Sequence, residues 1–112
     1  MPITIVSGPV IAPGESLSNV INLTSGNTGI MRIAMPAIWT SAWLTFQTSQ
    51  DGAVFRDLYF PNGSLVTVTV VPNASIVTNP EIWQAAYFKF RSGSPNRPII
   101  QPQTCNFTCM LG

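Results

Sequence analysis

The alternation of apolar and polar positions along this chain has a period of two wherever it has a period at all. It is clearest over residues 43–49, where Leu44, Phe46 and Thr48 share one face and Trp43, Thr45 and Gln47 the other, the pattern of a strand with one face buried. Gln50-Asp51-Gly52 follows as a tight hairpin turn, since Asp-Gly accepts the positive φ such turns require. Residues 54–60 are the expected return strand. Pro61-Asn62-Gly63-Ser64 is a second turn signal and residues 65–71 a third strand, so a meander is predicted for the middle of the chain. Further on, a strand over 87–91 turns Phe88 and Phe90 inward and Tyr87, Lys89 and Arg91 outward. A closing strand over 104–111 has Cys105, Phe107, Cys109 and Leu111 as its inward face.

The remaining segments are less regular. Residues 3–7 read as a short strand, interrupted by Gly8-Pro9 and then Pro13-Gly14. Residues 16–23 place Leu17, Ile21 and Leu23 on one face, with Asn19-Val20 breaking the alternation in the manner of a β-bulge. Residues 30–35 place Met31, Ile33 and Met35 on one face and Arg32 on the other. Pro72 and Pro80 bracket a loop carrying Ile76 and Val77, and a short helical turn is read around Trp83. Residues 92–102, with Pro95, Pro98 and Pro102, are expected to run extended over the surface. These segments add up to an all-β chain: a single domain over 1–112, an antiparallel β-sandwich, and specifically a jelly roll of about eight strands.

Charge changes the picture more than composition does. Only 8% of residues are charged, against about 25% in an ordinary soluble domain. A surface of Thr, Ser, Asn, Gln and Pro with so few charges suits a protein covered by neighbours or one working outside the cell. Disorder is excluded, because it requires low hydrophobicity and high charge. The five basic residues, Arg32, Arg56, Lys89, Arg91 and Arg97, are scattered, with only a loose C-terminal group of Lys89, Arg91 and Arg97. They form neither the basic stripe of a nucleic-acid binder nor a polybasic membrane anchor. No apolar run reaches the roughly 18 residues of a membrane span. The start lacks the basic and apolar regions of a signal peptide, so synthesis as a soluble cytoplasmic product is expected.

Elimination leaves no catalytic, cofactor-binding or metal-ligating residues to nominate. The chain has no histidine, the commonest general acid–base group. The carboxylates Glu15, Asp51, Asp57 and Glu81 have ordinary reasons to be where they are: Asp51 in a turn, Asp57 on a strand beside Arg56 and read as solvated, Glu81 near the start of a helical turn. Cys105 and Cys109 lack a base partner. Four residues apart on a strand, their Cα atoms would sit roughly 13 Å apart, too far for a disulfide, and they read as small buried apolar groups. A non-enzyme without cofactor or metal is therefore expected. The aromatic residues Trp39, Trp43, Trp83, Tyr59 and Tyr87 admit three readings: plugs for the ends of the sandwich, anchors of a protein interface, or a sugar-stacking platform. For the last, the candidates are Trp39, Trp43 and Tyr59.

The central block Met35-Pro36-Ala37-Ile38-Trp39-Thr40-Ser41-Ala42-Trp43-Leu44-Thr45-Phe46-Gln47, then Ser49-Gln50-Asp51-Gly52 and Phe55-Arg56-Asp57-Leu58-Tyr59, resembles a group of small tailed-bacteriophage virion proteins of the jelly-roll, head-associated type. Gly14-Glu15-Ser16-Leu17-Ser18 and Tyr87-Phe88-Lys89-Phe90-Arg91-Ser92-Gly93 are similar to segments of the same group. The resemblance implies a virion structural protein, foremost a capsid decoration or cement protein that binds the major capsid protein, and a homotrimer on capsid threefold sites as the assembly to test. It implies no catalytic residues. Two docking elements are nominated: an apolar N-terminal arm (Ile3, Ile5, Val6, Val10, Ile11) able to add a strand to a partner sheet, and the segment carrying Pro95, Arg97 and Pro98. Two alternatives stay open: a carbohydrate-binding module on the virion surface that takes a host glycan, and a neck or tail connector that binds other virion proteins.

Overall fold

The structure, a computed structural model, describes residues 4–24, 29–78 and 85–112. Eight strands follow in order: β1 (Thr4–Ile11), β2 (Ile21–Asn22), β3 (Ile30–Ala34), β4 (Leu44–Ser49), β5 (Arg56–Asp57), β6 (Ser75–Val77), β7 (Tyr87–Ser92) and β8 (Cys105–Leu111). They form two four-stranded antiparallel sheets, ordered β1-β8-β3-β6 and β2-β7-β4-β5. Each step along the chain crosses from one sheet to the other, except β4 to β5. This interleaving is the order of a jelly roll, and the all-β sandwich read from the sequence is present.

The core is built as the period-two pattern requires. β4 turns Leu44 and Phe46 inward, β7 Phe88 and Phe90, and β8 Cys105, Phe107, Cys109 and Leu111, all buried. Phe107 of one sheet meets Phe90 of the other edge-on at 5.2 Å, and Phe90 meets Phe46 at 5.4 Å. Trp39, from the β3–β4 connection, meets Phe107 edge-on at 5.7 Å. Four aromatic rings thus run in T-shaped contact from the connecting loop through both sheets, the arrangement that ring quadrupoles favour.

Three strands depart from strict alternation, each through one extra residue. In β1, Ser7 faces Thr108 and Val10 faces Asn106, so three steps oppose two. The bulge falls on Gly8-Pro9, joined by a cis peptide with Gly8 at φ 123°. β1 is an edge strand, where a proline at a bulge removes no ladder hydrogen bond. The chain therefore continues as strand to Ile11 through the dipeptide expected to stop it. In β3, Ile30 faces Leu111 and Arg32 faces Met110, two steps against one. Ile30 and Ile33 are both buried as a result, and Met31, expected inward, is only half-buried. Ahead of β2, Leu17 faces Arg91 and Ile21 faces Phe88, four steps against three. This is the bulge that Asn19-Val20 announced, and it moves Leu17 to the side of Arg91 rather than that of Ile21.

The meander forms only in part. β5 is two residues long, with Leu58 N–H still bonded to Phe46 O at 3.0 Å. The following segment pairs through single bridges, Tyr59 to Leu65 and Val68 to Leu44. Both turns exist. Thr48 faces Arg56, however, so the connection through Asp51-Gly52 is a wide loop rather than a two-residue turn. Asp51 stabilises that loop by accepting from Val54 N–H, Ala53 N–H and the Ser49 hydroxyl, which hold its carboxyl down at about 2. The residues between Pro72 and Pro80, expected as loop, include β6, which pairs with β3 and turns Ile76 toward the core. The helical turn around Trp83 and Glu81 falls outside the described residues.

Candidate functional site

The segment after β7 does not run extended. Ser94 and Arg97 close a β-turn, with Arg97 N–H donating to Ser94 O at 3.2 Å and Ser94 N–H to Arg97 O at 3.1 Å. The Ser94 hydroxyl accepts from Arg97 N–H as well. Ser at the first position and Pro at the second suit such a turn, and Ser94-Pro95-Asn96-Arg97 supplies both. Gly93 enters the turn at φ 91° and bridges Pro98, and Ile99 N–H returns to Ser92 O at 2.8 Å. Pro95 and Pro98 thus punctuate a folded-back hairpin instead of a polyproline stretch.

This hairpin closes one side of a cleft of about 440 Å³, within the size range of ligand pockets. Trp43 lines it, 61% exposed, one residue before β4 and exposed as the alternation predicted. Gly93 N–H donates to Trp43 O at 2.8 Å, so the turn is anchored to the backbone that presents the indole. Arg97 and Ser94 line the cleft from the turn, Ser41 from the β3–β4 connection, and Thr69 and Val70 from the segment following the Val68 bridge. No acidic side chain lines it.

Beneath the turn, the outer face of the β2-β7-β4-β5 sheet carries a charged pair. Arg91 Nη2 donates to Asp57 Oδ1 at 2.6 Å, with the arginine side chain 9% and the aspartate 30% exposed. Arg91 Nη1 lies 3.5 Å from Thr45 Oγ1, at the limit of a hydrogen bond, and Thr45 Oγ1 in turn donates to Gly93 O at 2.7 Å. Asp57 is therefore not the solvated strand residue expected, nor is Arg91 a free outward charge. The loose basic group dissolves in the same way. Lys89 sits over the Phe55 ring at 4.5 Å, and of the three only Arg91 has an ion-pair partner among the described residues. Removing Asp57 should leave Arg91 buried without its counter-charge. Asp57→Ala is expected to lower stability by about 2 kcal/mol, less than for a fully buried pair because Asp57 is partly solvated. Urea unfolding beside Arg91→Met, which removes the charge with its burial penalty and should be milder, checks this.

The other nominated residues scatter. Ile11 is fully buried in the core and Trp39 is 9% exposed, its Nε1 donating to Ala42 O at 3.3 Å. Ile11 is thus closed to a partner and Trp39 to a sugar, the latter serving as a plug over Phe107. The loop that carries Trp39 is locked by Gln101. Gln101 is 1% exposed; its side-chain amide donates to Thr40 O and Ser92 Oγ and accepts from Thr40 N–H. Tyr59 is exposed but does not line the cleft. Ile5 is exposed and Val10 half-buried, both within the paired strand β1 rather than a free arm. Pro95 is half-buried and Pro98 exposed, and Ile3 lies outside the described residues. Sequence reasoning missed Ser41, Thr69 and Ser94, which reach the cleft only through long-range folding. The Ser-Pro-Asn-Arg turn signature was the one available signal.

Both thiols are free and buried. Cys109 donates to Gly8 O at 3.3 Å, and burial pushes it up to about 12. Burial raises Cys105 as well. Protonated and enclosed at neutral pH, neither is a nucleophile. No three metal-ligating side chains cluster among the described residues. No protein-family model matches the chain, and no curated protein or solved structure matches it.

Proposed function

We propose that this domain is a structural component of a bacteriophage particle, a decoration protein that docks on the major capsid protein through the outer face of the β1-β8-β3-β6 sheet. The observation that carries this reading is a face on which exposed apolar and small uncharged side chains surround a single charge, Arg32. Ile5, Met110, Arg32 and Val77 face one another in a row across all four strands, with Ile5 68% and Val77 71% exposed. The next row is Ser7, Thr108, Ala34 and Ser75. Depletion of charge is the compositional mark of an interface centre. The scarcity of charge in the whole chain and the resemblance of its central block to head-associated phage proteins support the same reading, and so does the absence of any catalytic constellation in the sequence.

The test is co-sedimentation of the purified chain with phage heads lacking it, with light scattering to establish whether it is a trimer. Ile5→Glu with Val77→Lys should weaken head binding by more than about 100-fold, because each buries an unpaired charge, the lysine beside the like charge of Arg32, while leaving the melting temperature nearly unchanged. A chain that ignores heads, or a double variant that binds undiminished, overturns the reading. Imaging of the intact particle distinguishes the capsid from the neck or tail, the connector alternative.

A further inference from the structure

The Trp43 cleft is not part of the docking face, and its chemistry points to a different ligand. We infer that it binds a saccharide carrying a carboxylate, such as a uronic or sialic acid residue. Three features of the cleft converge on that class. The exposed indole of Trp43 offers an apolar, π-rich surface on which the C–H face of a pyranose ring can stack. The hydroxyls of Ser41, Thr69 and Ser94 line the same cleft and can each donate to and accept from sugar hydroxyls. The Arg97 guanidinium, unpaired among the described residues, presents a planar fork matched to a carboxylate, and no acidic side chain lines the cleft to compete for it.

The backbone of the cleft is preorganised. The main chain at Arg97 is held by the Ser94–Arg97 turn and that at Trp43 by the Gly93–Trp43 hydrogen bond, and the Arg91–Asp57 pair is tied to Gly93 through Thr45. Ligand binding therefore need not order the loop first, which favours affinity. A nucleotide would also stack and pair with Arg97, but its several phosphate charges would meet a single cation. An acidic side chain of a protein partner would leave the cleft's three hydroxyls without a role.

The experiment is a titration of the full chain, followed by the indole N–H resonance of Trp43 and by calorimetry. The probes are short oligosaccharides containing a uronic or sialic acid, the matching neutral oligosaccharides, and a nucleoside monophosphate. Acidic oligosaccharides should bind about tenfold or more tightly than neutral ones, the contribution of one charge-assisted contact. Arg97→Gln should abolish that preference while neutral sugars bind as before, and Trp43→Ala should abolish both. Both side chains are exposed, so the variants are expected to fold, and unfolding curves verify it. An unmoved Trp43 resonance with every saccharide, tighter binding of the nucleotide, or an acidic preference that survives Arg97→Gln each overturns the inference. None of these outcomes bears on head binding, which the Ile5 and Val77 substitutions address separately.

Discussion

Truncating Phe107 to alanine should lower the unfolding free energy by about 4 kcal/mol, the middle of the range for a buried phenylalanine. Phe107 is fully buried on β8, an interior strand of its sheet. It is the ring that joins the two halves of the aromatic series, edge-on to Phe90 across the sandwich and to Trp39 in the β3–β4 connection. Its removal takes away transferred apolar surface, leaves a cavity between sheets that backbone ladders hold apart, and breaks two aromatic contacts worth about 0.5–1.5 kcal/mol each. Domains of this size have only about 5–15 kcal/mol in total, so the variant should unfold at a fraction of the wild-type urea concentration. A loss under about 1.5 kcal/mol would mean that the rings are not coupled as described.

Gly93→Ala is expected to cost at least about 3 kcal/mol, although it adds one methyl group. A side chain at φ 91° is strained by about 1–2 kcal/mol by itself. Here the new Cβ would also lie 2.3 Å from Arg97 O and 2.7 Å from Ile99 N, both backbone atoms that cannot swing aside. The contact can be relieved only by opening the turn and loosening its bonds. Gly63→Ala is the control: its φ is 90°, with open space where the Cβ would go, so it should show the conformational strain alone. Unfolding curves of the two variants side by side separate strain from collision, and equal losses would refute the collision. The Trp43 resonance should shift in the Gly93 variant and not in the Gly63 variant, because only the former displaces the wall of the cleft.

Those two positions also show what could be read from residues alone. The inward face of β8 was legible because four apolar side chains alternate over seven residues with nothing to disturb them. The exposure of Trp43 was legible for the same reason. Ile11 was misjudged as part of an arm because Gly8-Pro9 looks like a stop, and only pairing with β8, almost a hundred residues away, reveals a bulge. β6 was hidden because three residues between prolines carry no period, and their partner β3 lies some forty residues earlier. Arg91 gives no local sign of burial, since Asp57 is remote in sequence. The cleft was legible only at Trp43, which the alternation exposes: residues 92–102 were expected to run extended although Ser-Pro-Asn-Arg spells a turn, and bringing Thr69 and Ser41 beside them takes the whole fold.

The register of β8 has a consequence for how the chain reaches this state. β8 lies between β1 and β3, with Leu111 opposite Thr4 on one side and Ile30 on the other. In that sheet only the β3–β6 ladder can form without it, whereas the other sheet is complete once β7 has been made. Pairings of such long sequence separation place folding in the slow range, roughly milliseconds to seconds. During synthesis β1 and β3 wait with bare edges until the strand that separates them has emerged. Copies made close together on one message could meet at those edges before either has its own β8.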